Sequence, residues 1–131
     1  MNPTPTPDAI EQFLQAFKAK VSTFEVIFLN ERPKNSVKSL LAVGFSPANR
    51  RVLLLDLKFD DYAQGPLVDK VTKLPLWVFG RRVNEIDLYI KIHMGLSGKP
   101  TVCVSFHEED KEKDPLTFPY RKPKSPSKRK P

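Results

Sequence analysis

The sequence predicts an α+β domain, a small antiparallel β-sheet backed by N-terminal helices. Three observations carry that prediction. Before residue 56, apolar residues recur at helical spacing. Residues 76–107 hold three runs rich in β-branched and aromatic side chains, joined by short links. A composition of 40% apolar and 28% charged residues supports a packed core. The 131 residues suit one domain, placed at 1–120, followed by a disordered basic, proline-rich tail at 121–131.

Residues 1–7 alternate proline with polar side chains and read as an extended leader. Thr6 then Pro7 reads as a cap followed by proline at the first helical position. Ile10, Phe13, Leu14, Phe17 and Val21 then mark one buried helical face. Residues 24–29 (FEVIFL) read as a strand. Ser36 caps a predicted short helix stopped by Gly44, and Ser46-Pro47 opens another that runs to about Leu55. Residues 58–75 show no clean period and contain Gly65-Pro66 and Pro75, so they read as a long loop.

LWVFGRR, EIDLYIKIH and TVCVSFH then form an antiparallel meander. In the middle strand Ile86, Leu88, Ile90 and Ile92 take one face, and Asp87, Tyr89, Lys91 and His93 take the other. In the third, Val102, Val104 and Phe106 oppose Thr101, Cys103, Ser105 and His107. Trp77 and Phe79 extend the apolar set if the first turn centres on Val83-Asn84, and Arg81 or Arg82 joins the polar face, depending on register. Leu116, Phe118 and Tyr120 can pack along the domain.

The net charge of +7 lies almost wholly in residues 121–131, which carry six basic residues and no acid. The other 120 residues carry 16 basic and 15 acidic side chains, so the folded part is nearly neutral. No run of about 18 apolar residues implies a membrane span, and the N-terminus lacks the apolar core of a secretory signal, which fits a cytoplasmic protein. One cysteine excludes a disulfide framework, and two histidines without ligand spacing argue against a protein-held transition metal. Asp60-Asp61 and Glu108-Glu109-Asp110 have the chemistry for Mg²⁺ but read as a solvated loop and a strand end. Cys103 reads as a small sheet side chain, Trp77 as core and His93 as a surface residue. No phosphate-loop, dinucleotide, zinc-protease or serine-hydrolase motif is present.

The polar sheet face carries the candidate chemistry. Tyr89 and Lys91 stand two residues apart on one strand, roughly 6.5–7 Å along it, with His107 on the next strand. Lysine or arginine can offset charge on a pentacoordinate phosphorus, histidine can move a proton, and tyrosine can stack a base. RNA supplies its own nucleophile in the 2′-hydroxyl, so such a face needs no metal or other cofactor to cleave it. The plain alternative is the ordinary solvated side of an antiparallel sheet.

LWVFGRRVNEIDLYIKI followed by VCVSFHEED, with DDYAQGP upstream, resembles the MqsR family of bacterial type II toxins. The likeness is to a shorter branch with a proline-and-tyrosine end like PLTFPYRK; it covers residues 24–120 and is strongest at 76–107. It implies a RelE-like fold, an mRNA-cleaving activity (an mRNA interferase) and a cognate antitoxin as partner. Tyr62, Tyr89 and Lys91 match tyrosine and lysine positions of the family, whereas His107 stands where the best-known member has lysine. Ala63 and Val78 stand where that member has lysine and glutamine, and Gln64, Lys73, Arg81 or Arg82 are the candidates to replace them.

Two expectations follow. The first is a metal-independent endoribonuclease with His107, Lys91 and Tyr89 in catalysis and Tyr62, Arg81 and Arg82 on the substrate; the ribosome is a possible partner but not a required one. The second is a binding module for protein or RNA without chemistry. An edge strand at 76–82 or 101–107 would offer an antitoxin its unpaired backbone groups.

Overall fold

A computed structural model describes residues 4–29, 47–83 and 85–121. The chain order is α1 (Pro7–Thr23), β1 (Ile27–Phe28), α2 (Pro47–Leu55), a 3₁₀ turn (Phe59–Asp61), β2 (Tyr62–Val68), β3 (Pro75–Val83), β4 (Ile86–His93) and β5 (Val102–Glu108). The five strands form one mixed sheet in the order β1-β5-β4-β3-β2. β1 runs parallel to β5 and every other pairing is antiparallel, so the expected all-antiparallel sheet gains one parallel edge. The helix expected at 36–44 and tail residues 122–131 lie outside the described residues.

Thr6 caps α1 by accepting the Ala9 amide at 3.1 Å, and Pro7 enters where a helix needs no amide donor. Ile10, Leu14, Phe17 and Val21 are buried against the sheet's inner face, each contributing roughly 1.5–3 kcal/mol of apolar transfer. Phe13 stacks on Trp77 at 4.4 Å between ring centroids and 14° between planes. Arg51 donates to the Val21 carbonyl at 3.0 Å, and Lys20 donates to the carbonyls of Met94 and Leu96. Arg51 thus satisfies a carbonyl of the last turn of α1 and ties it to α2, and Lys20 ties that turn to the β4–β5 link.

The stretch read as a long loop instead contains β2. Its ladder to β3 holds although it breaks register twice, between Tyr62 and Gln64 and between Gln64 and Leu67. Gly65 sits in the second irregularity at φ +115°, where a Cβ would meet the Leu76 carbonyl oxygen at 2.5 Å. Bulges and a proline hide alternation in a sequence, yet an edge strand tolerates both. β2 also takes the edge that β3 was expected to provide, and β1 takes that of β5, so the strands at 76–82 and 101–107 are both interior.

β3 and β4 join through residues 84–85, because Val83 pairs with Ile86. The register is therefore two residues away from a turn centred on Val83-Asn84. A two-residue shift changes partners and preserves faces. Trp77 and Phe79 accordingly lie on the inner face opposite Ile92 and Ile90. β5 departs from simple alternation: Lys91 pairs with Ser105, but Ile92 pairs with Cys103, leaving Val104 as an extra residue. That bulge turns Cys103 into the core with Ile92 while Ser105 and His107 stay on the outer face. Cys103 is therefore a core side chain, not a partner of Ser105 and His107 on one face.

Candidate functional site

The outer face is set by alternate rungs of the sheet. His93 pairs with Val102; Val78, Lys91 and Ser105 form the next outward rung; Gly80, Tyr89 and His107 form the one after. Directly paired residues point to the same side, so the register brings Tyr89, Lys91 and His107 together. The rings of Tyr89 and His107 stack at 5.3 Å between centroids, 12° from parallel. Lys91 Nζ stands 5.8 Å from the Tyr89 ring centre, within cation–π range. Among the described residues no carboxylate pairs with Lys91.

His107 Nδ1 lies 2.8 Å from the Glu108 carbonyl oxygen. A carbonyl only accepts, so Nδ1 carries the proton and Nε2 is the nitrogen left to exchange one. Tyr89 and His107 are each 4% exposed. Arg82 shares the outer face and pairs with Asp87 across the rung at 3.1 Å.

Tyr62 and Arg81 belong to the other side of the sheet. Tyr62 pairs with Phe79, meets Trp77 and Phe79 edge-on, and donates its hydroxyl to the Gly65 carbonyl. Burial pushes its phenol above the ordinary value, with Tyr120 adding in the same direction. Arg81 pairs with Leu88 and donates to Asp56 at 3.0 Å and to Asp61 at 2.6 Å. The structure thus groups His107, Lys91, Tyr89 and Arg82 and separates Tyr62 and Arg81 from them. Asp61, read as part of a solvated loop, is instead buried between Arg81 and Arg121. His93, read as a surface residue, is buried, and its Nδ1 accepts the Gly95 amide at 2.9 Å. Burial holds its imidazole below the ordinary value; Asp69 opposes that shift and Lys20 reinforces it.

Residues 109–121 cover part of this face. The Glu109 carboxylate accepts the Leu116 amide at 2.7 Å, and Leu116 and Phe118 pack on Ala63, Val78 and Tyr89. Gly80 makes that approach possible, since a Cβ there would meet Leu116 Cδ1 and Phe118 Cζ at 2.8 Å each. Beyond Phe118 the chain reaches the inner side. Tyr120 donates to the Pro5 carbonyl at 2.7 Å, and Arg121 donates to Asp61 at 2.8 Å and to the Gly80 carbonyl at 3.2 Å. The alternation of Leu116, Phe118 and Tyr120 signalled this packing; nothing in the sequence signalled that Gly80 is the floor beneath it. A groove of about 620 Å³ follows the β2 edge beside this segment, lined by Gln64, Pro66, Leu67, Thr117, Phe118 and Thr4 among others.

Among the described residues no group of three or more histidine, cysteine or carboxylate side chains could hold a metal ion, and no helix is long and apolar enough to cross a membrane. No family model, curated protein or solved structure matches the chain.

Proposed function

We propose that the chain is a cytoplasmic, metal-independent endoribonuclease of RelE-like fold, cleaving mRNA and neutralised by a cognate antitoxin. The observation that carries the reading is the stacked Tyr89–His107 pair with Lys91 two rungs along on the same face. In the proposed reaction a base takes the proton of the ribose 2′-hydroxyl as that oxygen bonds to phosphorus. The phosphorus–O5′ bond then breaks, and an acid returns a proton to O5′. His107 Nε2 serves one of these proton transfers. Lys91 offsets the charge gathered on the phosphorane oxygens, Tyr89 orients the imidazole and contacts the substrate, and Arg82 reaches the flanking phosphate from the same face. Tyr62 and Arg81, on the opposite side, support the frame instead.

The test is incubation of the purified protein with mRNA in EDTA, with and without ribosomes. Fragments that disappear in His107→Ala and Lys91→Ala support the reading. Intact RNA at high protein excess in both settings refutes it.

A second reading, a protein- or RNA-binding module without chemistry, draws support from the 4% exposure of both Tyr89 and His107. It predicts RNA or protein binding that His107→Ala leaves unchanged, with no cleavage.

A further inference from the structure

We propose that residues 109–121 act as an occluding strap that must lift before a ligand reaches the Tyr89–Lys91–His107 face, with the Asp61–Arg121 ion pair as its latch. The proposal rests on that face being the functional one, and it explains how a buried phenol and imidazole could serve there.

Three features distinguish a strap from ordinary core. Its contacts are of separable kinds: Glu109 is hinged to β4 by its amide on the Asp87 carbonyl and holds the Leu116 amide with its carboxylate, two apolar side chains lie over Gly80, the Tyr120 hydroxyl bonds the Pro5 carbonyl, and Arg121 holds Asp61 and the Gly80 carbonyl. Beyond Glu109, whose amide bonds the Asp87 carbonyl at 2.7 Å, no backbone bond among the described residues ties it to the sheet, so lifting residues 110–121 breaks no strand pairing among β2–β5. Its seat is shaped for it, because the only side chain missing from the Gly80–Tyr89–His107 rung is the one that would collide with Leu116 and Phe118. Segments without ladder bonds open at less than the global unfolding free energy.

The latch is built from the strap's last described residue. Arg121 lies with its guanidinium carbon 3.7 Å from the Phe118 ring centre and its Nη2 on Asp61. One side chain therefore presses Phe118 onto its seat and fastens the end of the strap to the 3₁₀ turn. Arg121 also opens the basic stretch 121–131.

The experiment reads access without reading activity. Wild type, Gly80→Ala and Arg121→Ala are treated with diethyl pyrocarbonate, and acylation at His107 and at buried His93 is mapped by mass spectrometry. Hydrogen exchange at the Leu116 amide reports strap opening in the same samples, and Trp77 fluorescence checks the fold. Gly80→Ala wedges the strap from beneath; Arg121→Ala cuts the latch, removing the bonds to Asp61 and to the Gly80 carbonyl. Each should speed labelling at His107 roughly tenfold, the factor expected from one charge-assisted hydrogen bond or its steric equivalent in an opening equilibrium, with His93 unchanged. Leu116 exchange should accelerate in parallel. Faster Leu116 exchange with His107 labelling at the wild-type rate overturns the proposal, as does wild-type His107 reacting like a free imidazole. Labelling that rises while RNA stays intact leaves the strap standing and removes the nuclease reading.

Discussion

Asp61 offers the sharpest energetic test of the frame. Its carboxylate is 7% exposed and accepts from Arg81 at 2.6 Å, Arg121 at 2.8 Å and the Lys58 amide at 2.9 Å. Asp61→Ala would leave Arg121 without its carboxylate and Arg81 with only the exposed carboxylate of Asp56. Breaking a buried ion pair by removing one partner costs about 3–5 kcal/mol. The two arginine side chains remain 22% and 33% exposed, so water relieves part of the loss and the lower end applies, about 3 kcal/mol. For a domain of this size that lowers the melting temperature by roughly 10 °C. The assay is urea unfolding followed by the fluorescence of Trp77, the chain's one tryptophan, which is buried against Phe13. Asp60→Asn is the control: Asp60 has no ion pair among the described residues, so its loss should stay within about 0.5 kcal/mol. Equal, small effects at positions 60 and 61 would refute the buried-network argument.

Three further outcomes are expected. Phe17→Ala empties a fully buried site between α1 and the sheet and should cost about 3–5 kcal/mol in the same titration. Thr6→Ala removes the α1 cap and should cost about 1 kcal/mol, read as a lower urea midpoint with an unchanged slope. His93 titrates lower when folded than when unfolded, so the unfolded chain binds the extra proton first as pH falls. Its contribution is complete above the unfolded value near 6.5 and is lost as pH drops through the folded value. Urea midpoints of wild type and His93→Gln across that window should differ in pH slope, and identical slopes would contradict the assignment.

How much of this was legible in the sequence varies with how local the signal is. Thr6-Pro7 and the spacing from Ile10 to Val21 marked α1 because a cap and an amphipathic face are written in adjacent residues. β4 alternates cleanly, so its faces followed directly. β2 did not show because its bulges and Gly65-Pro66 break the two-residue period that betrays a strand. The bulge in β5 sent Cys103 inward for the same reason, and only the partner strand reveals it. Asp61 and Arg81 are 20 residues apart, and no window on the sequence holds both. The candidate site was half legible. Tyr89, Lys91 and His107 share a face through register, whereas their cover depends on Gly80, whose significance appears only once Leu116 and Phe118 lie over it.

The most direct measurement uses an RNA oligonucleotide and its counterpart with deoxyribose at every position, both in EDTA, followed by end-group analysis of the products. The account predicts cleavage of the ribose form alone, leaving 2′,3′-cyclic phosphate and 5′-hydroxyl ends, with the yield raised in Gly80→Ala. Products bearing 5′-phosphate, or equal cutting of the deoxyribose strand, would contradict it.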